Sequence, residues 1–196
     1  MEKINFIKTF IPQGDFREKY EHGGMMVRHL AAVLDEKMGA YECYECTVPI
    51  GEYDEGEIQK AFAEFSVKMD ALKLKQAKVD KIAEITAYDT SSSVNGFVLN
   101  GLLVWLDKAT RVGLMNSTTI AKSAGQQTTT LWLGGIKLVV DCDKAIQLLS
   151  ALEMYALECF NVTASHKAAV GELTTIEEVE AYDYKAGYPK MLEMSV

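Results

Sequence analysis

Phe97-Val98-Leu99-Asn100-Gly101-Leu102-Leu103-Val104-Trp105-Leu106-Asp107 is the stretch on which the fold turns. Two apolar runs, 97–99 and 102–106, flank Asn100-Gly101, and both turn residues tolerate the positive φ of a type I′ turn, so the stretch predicts a β-hairpin. Asp107 stands where a helix N-cap belongs, and a helix is expected through about Ala124, ended by Gly125. The order then repeats. Residues 129–133 and 136–140 enclose Gly134-Gly135, and Asp141 and Asp143 lead into a long helix over about 143–172. Its apolar stripe includes Ala145, Leu149, Leu152, Tyr155 and Cys159, with Lys144, Gln147, Glu153, Glu158 and Asn161 on the other side, the pattern of a helix lying on a sheet. Residues 97–172 therefore read as a ββα unit used twice. Thr175 with Glu178 forms a capping box for a last short helix that faces inward through Ile176, Val179 and Tyr182.

Upstream, the pattern reads as strand, helix, strand. Residues 3–11 alternate around Ile4, Phe6 and Phe10. Val27, Leu30, Ala31, Leu34 and Met38 recur at helical spacing before Gly39, and residues 40–50 read as a strand. An acidic turn over 51–57 follows. From Glu57 to about Ala87 the chain has no Gly and no Pro and is rich in Ala, Lys, Glu and Leu, a strong helix signal. Ile58, Phe62, Phe65, Met69, Leu72, Val79 and Ala83 step by fours and threes, broken only at Gln76. That repeat is the seam of a coiled coil, and such a helix would be roughly 43 Å long. Ile58, Phe62, Phe65, Met69, Leu72 and Val79 are accordingly expected to bind a partner chain, most simply in a homo-oligomer; the alternative is a helix packed on its own domain. The expected class is α+β: a small N-terminal α/β segment over 1–56, the heptad-patterned helix over 57–87, a linker or lead-in at 89–95, a C-terminal ββαββα domain over 94–189, and a tail over 190–196.

Composition sets the functional limits. The chain has 196 residues, 48% of them apolar and 24% charged, enough for one or two small cored domains. A net charge of −8 argues against a nucleic-acid partner, since that affinity rests on Lys and Arg neutralising phosphates. No run approaches the roughly 20 apolar residues of a membrane span. Glu2, Lys3, Asn5 and Lys8 stand where an apolar leader would lie, so the expectation is a cytosolic chain with reduced thiols. The same reasoning leaves the glycosylation patterns at Asn116 and Asn161 unused.

No motif assembles a catalytic or cofactor site. Cys43-x-x-Cys46 falls in a strand, where positions three apart face opposite ways, and it lacks the second pair that structural zinc needs. Both read as small buried or half-buried thiols, and neither metal nor cofactor is expected. His166 shares a helix face with Cys159, which makes two potential ligands rather than a site, so it reads as a core histidine with one hydrogen bond. His29 reads as lying beside the apolar stripe of its helix. Trp105 and Trp132, both in hairpin strands, read as core aromatics. Arg111, four residues after Asp107, reads as half of an exposed helix pair worth a few tenths of a kcal/mol.

Several features resemble a family of unknown function common in phages and prophages and often encoded beside tail-fibre genes. They are Ile85-Thr86-Ala87-Tyr88-Asp89-Thr90, Phe97 with Asn100-Gly101, Trp105-Leu106-Asp107 with Arg111, Thr130-Leu131-Trp132, His166, and residues 174–183 (TTIEEVEAYD). The resemblance covers about residues 80–189 and is similar to versions from gut Bacteroidetes and their phages. It implies a setting rather than a reaction: a non-enzymatic protein that binds a phage tail or tail-fibre polypeptide, as an assembly chaperone or adaptor. That places it in the bacterial host cytoplasm during assembly, or in the virion tail. The alternatives are a structural virion component and an enzyme acting on host wall or glycans, which would need two convergent carboxylates.

Overall fold

The computed structural model describes residues 4–196, and they form the expected α+β class, with small sheets and two long helices. The charged opening at Glu2 and Lys3, and the first residue of the strand expected over 3–11, lie outside the described residues. Two units divide the chain between Lys73 and Leu74. The boundary falls inside one helix, α1 (Glu55–Asp89).

The first unit is a four-stranded antiparallel sheet in the order β1-β4-β3-β2. Its strands are β1 (Ile7–Pro12), β2 (Lys19–His22), β3 (Met25–Asp35) and β4 (Ala40–Pro49). The helix expected around Val27–Met38 is therefore strand β3, and the correction has a physical cause. Leu30 pairs with Tyr44 but Val33 pairs with Glu42, so β3 carries one extra residue at that point. Ala31 sits there at a φ of 54°. This bulge shifts the two-residue alternation by one and turns it into apparent steps of three and four. Gly39, expected to stop a helix, instead takes its φ of 61° in the β3–β4 turn, where its N–H bonds the Asp35 carbonyl at 2.9 Å.

One face of this sheet meets the start of α1. Leu30, Cys46, Val48 and Ile58 are buried together, with Phe6, Tyr53 and Phe62 against them. Phe6 packs on Phe62 and Phe65 at 5.3 and 5.1 Å between ring centres, and Tyr44 meets Phe65 edge-on at 5.1 Å. The expected partner seam is thereby corrected in its first half. Ile58 is only 2% exposed, and Phe62 and Phe65 are spent on the unit's own sheet. Arg28 of β3 fixes the helix start: its Nε reaches both Glu55 oxygens at 3.2 Å and its Nη2 donates to Oε1 at 2.7 Å.

In the second unit, α1 buries a different set. Ile85 is fully buried with Val170 and Val179, and Leu74, Ala77 and Ile82 pack against them. From Met69 the inward positions jump five residues to Leu74, so no single heptad stripe runs the length of the helix. The seam residues Leu72 and Val79 are left 54% and 52% exposed. Residues 89–95, expected as a linker or a lead-in, are a folded lead-in: Asp89 ends α1, and α2 (Ser92–Asn95) buries Val94. The doubled hairpin–helix order holds. β5 (Gly96–Leu99) and β6 (Leu102–Trp105) precede α3 (Lys108–Ser123); β7 (Thr128–Leu133) and β8 (Ile136–Asp141) precede α4 (Cys142–Glu172). Asn100 and Gly101 take φ of 50° and 82°, as the type I′ turn requires. Asp107, Asp141 and Thr175 cap their helices, the last in a full capping box that starts α5 (Ile176–Ala181). The stretch expected as a tail supplies β9 (Leu192–Met194), which pairs in parallel with β5. The main core gathers Phe97, Leu99, Val104, Leu131, Leu133, Leu149 and Leu152 between the hairpins and α4.

Ile58→Ala should cost about 2–4 kcal/mol in denaturant unfolding, whereas Leu72→Ser should change stability by less than about 0.5 kcal/mol. Arg28, and after it Gln59, draw the Glu55 carboxyl down to about 2 from its ordinary 4.5. A depressed folded value means the pair's stabilisation is complete above about pH 4.5 and is lost as pH falls through about 2. Glu55 is 44% exposed, so screening keeps the effect modest. Acid titrations should show Arg28→Met losing less stability than wild type between pH 5 and 2.

Candidate functional site

The β6–α3 junction, a hairpin end followed by a capped helix, lines one side of an open cleft of about 770 Å³ within the second unit. β6 buries Val104 and turns Trp105 outward, 40% exposed. Leu106 turns in again, and Asp107 caps α3 by accepting from the Thr110 N–H at 2.8 Å and the Thr110 hydroxyl at 2.6 Å. Those two bonds, the hydroxyl's first, hold the Asp107 carboxyl below its ordinary value. One turn on, Arg111 points back under the strand end.

Arg111 is the least expected residue of the site. It is 8% exposed and makes no side-chain pair with Asp107. Its Nε donates to Glu153 Oε1 of α4 at 2.9 Å, and its Nη1 donates to the Leu106 carbonyl at 2.8 Å. The exposed helix pair read from the spacing is therefore replaced by a cross-helix ion pair with Arg111 buried and Glu153 half-buried. Its guanidinium is oriented on two edges, and Nη2 has no hydrogen bond among the described residues.

α4 supplies the opposite wall through Glu153, Ala156, Leu157 and Phe160, one helical face. Leu157 and Phe160 are 50% and 59% exposed. The back of the cleft is Asp89 with Thr90 and Asn95. Asp89 Oδ1 accepts from the Thr163 hydroxyl at 2.8 Å, and the Asp89 carbonyl accepts from the Asn95 amide at 2.5 Å. Below them the Val94 carbonyl accepts from the Tyr155 hydroxyl at 2.6 Å and the Cys159 thiol at 3.4 Å, locking α2 to α4. Burial, and next the neighbouring Cys159, pushes the Tyr155 hydroxyl up to about 12, so it stays a proton donor across the physiological range.

The remaining singled-out residues fall elsewhere. Trp132 is 59% exposed on the β7–β8 hairpin, away from the cleft lining. The expectation of two core tryptophans is corrected for both, because each lies on the outward phase of a strand whose neighbours Val104, Leu131 and Leu133 point in. His166 is half-buried and makes two hydrogen bonds rather than one: Nδ1 meets the Tyr182 hydroxyl and Nε2 the Ala186 carbonyl, each at 2.9 Å. Cys159 bonds elsewhere, so the two are not a pair. His29, on strand β3 rather than a helix, is buried between the Arg17 carbonyl at Nδ1 and Glu45 Oε2 at 3.1 Å from Nε2. Cys43 and Cys46 are each 2% exposed, and burial raises both thiols, which keeps them protonated and poorly nucleophilic. Among the described residues no group of three or more His, Cys, Asp or Glu could hold a metal ion, and no helix is long and apolar enough to cross a membrane.

Glu153, Leu157, Phe160 and Asp89 were not foreseen as site residues. A signal existed, because Met154, Leu157 and Phe160 put apolar side chains at steps of three on the face of α4 otherwise given to charges.

The second unit is thus an α+β domain built from two hairpin–helix units with an aromatic-walled cleft at the first. Residues 76–186, more than half of the chain, match the family described as Domain of unknown function (DUF4376), and the chain belongs to that family. Every cleft residue lies within the matched span. No curated protein and no solved structure matches the chain.

Arg111→Leu, which strips a largely buried charge from Glu153, should cost about 1–3 kcal/mol by thermal or denaturant unfolding. Lys at 111 should recover only part of that, because an ammonium cannot serve Glu153 and the Leu106 carbonyl from one rigid plane.

Proposed function

We propose that this chain is a non-enzymatic phage- or prophage-tail-associated protein that binds a tail or tail-fibre polypeptide, as an assembly chaperone or adaptor, through the cleft of its second unit. The observation that carries the polypeptide-binding part is one cluster: Trp105, Leu157 and Phe160 stand exposed around the fixed, largely buried Arg111. Exposed apolar patches rimmed by polar groups mark interaction surfaces, and Trp and Arg dominate the energetics of such surfaces. The tail setting rests on the sequence resemblance, and Asp89, Thr90, Trp105, Leu106, Asp107 and Arg111, which carry it, all border the cleft. The carboxylates there are each held by another group: Glu153 by Arg111, Asp107 by Thr110, Asp89 by Thr163. They favour a binding role over an acid–base pair acting on host glycans.

Co-expression with the polypeptide of an adjacent tail-fibre gene tests the reading. The two chains should co-purify, and Trp105→Ala with Phe160→Ala should weaken capture at least about tenfold while leaving the fold intact by circular dichroism. No co-purification and no gain in fibre solubility would overturn it.

A further inference from the structure

The charges around the cleft specify more than a surface for some polypeptide. Arg111 is already neutralised by Glu153 at 2.9 Å, so a second anion at its free edge would gain little. What Nη2 still offers is a pair of oriented N–H donors suited to a neutral acceptor, such as a peptide carbonyl. The remaining charges are the carboxylates of Asp89 and Asp107 against the ammonium of Lys108, which leaves the cleft net negative. The bonds from Thr110 hold the Asp107 carboxyl below its ordinary value, which favours its charged form. The ring of Trp105 beside Asp107 adds a face that attracts cations. The chain as a whole, at −8, steers the same class of ligand.

We infer that the cleft takes an extended polypeptide segment in which a lysine or arginine stands next to an apolar residue. The apolar side chain seats against Trp105 and Phe160, the adjoining carbonyl accepts from Arg111 Nη2, and the basic side chain meets Asp89 and Asp107. This rests on the cleft being the polypeptide site, and it adds the sign and sequence character of the segment. A glycan could also stack on Trp105, but the neutral sugars would leave the acidic groups without a counter-charge.

The chain has two tryptophans, and only Trp105 lines the cleft, so the full-length Trp132→Phe protein makes Trp105 the sole indole reporter. Three capped pentapeptides would be titrated while its fluorescence is followed: Gly-Lys-Leu-Lys-Gly, its glutamate counterpart and its glutamine counterpart. A neutral chito-oligosaccharide would be the fourth probe. The lysine peptide should bind at least about tenfold tighter than the glutamate peptide, with the preference shrinking as salt is raised. Asp89→Asn should reduce that preference to within about threefold. Equal or tighter binding of the glutamate peptide, a response to the oligosaccharide alone, or no response to any probe would overturn the inference. The two readings separate: capture of the fibre polypeptide without a lysine preference sinks only this one, and a lysine preference without capture sinks only the tail setting.

Discussion

The second unit depends on where the Arg111 guanidinium is held. A cation that is 8% exposed must be paired and hydrogen-bonded, or it would destabilise the fold that buries it. Glu153 supplies the charge and the Leu106 carbonyl supplies the acceptor. Three elements are tied by that one group: the end of β6, the first turns of α3 and the middle of α4. The tie orients the strand end that turns Trp105 outward and the helix face that carries Leu157 and Phe160. A cleft walled by α4 and the β6–α3 junction persists because the pair between them cannot be pulled apart without stranding a charge.

That arrangement also suits the cleft to the recognition role proposed for it. Its exposed apolar side chains stand among polar groups that the fold holds in place. Thr110 holds Asp107, Thr163 holds Asp89, and Tyr155 with Cys159 anchors the backbone of α2. A rigid polar frame with exposed rings loses little entropy on engaging a ligand, which is how modest contact area becomes specific binding.

Local rules of the chain were readable where a single residue decides the geometry. Asn100-Gly101, the Asp107 and Asp141 caps and the Thr175–Glu178 box each act within four residues, and each is found as expected. What failed depends on partners far along the chain. The bulge at Ala31 disguised strand β3 as a helix, because one extra residue converts period two into mixed steps. Along α1 the sequence shows one regular stripe, yet after Met69 it is Ile85 that is buried, with Leu74, Ala77 and Ile82 partly buried beside it, out of phase with that stripe. Half of the candidate site was legible: Trp105, Asp107 and Arg111 were singled out, while Glu153 and Phe160, distant in sequence, were not. Arg111 was assigned the wrong partner because Asp107 is near in sequence and Glu153 is near only in the fold.

The cleft beside Arg111 is proposed as the surface that holds a polypeptide. Nitrogen-15 NMR of the full chain, recorded with and without the co-expressed fibre polypeptide, tests it most directly, because the indole N–H signals of Trp105 and Trp132 report two separate surfaces. The Trp105 indole and the Arg111 Nε–H should shift on binding while the Trp132 indole stays in place. Movement of Trp132 with Trp105 and Arg111 unchanged would contradict it.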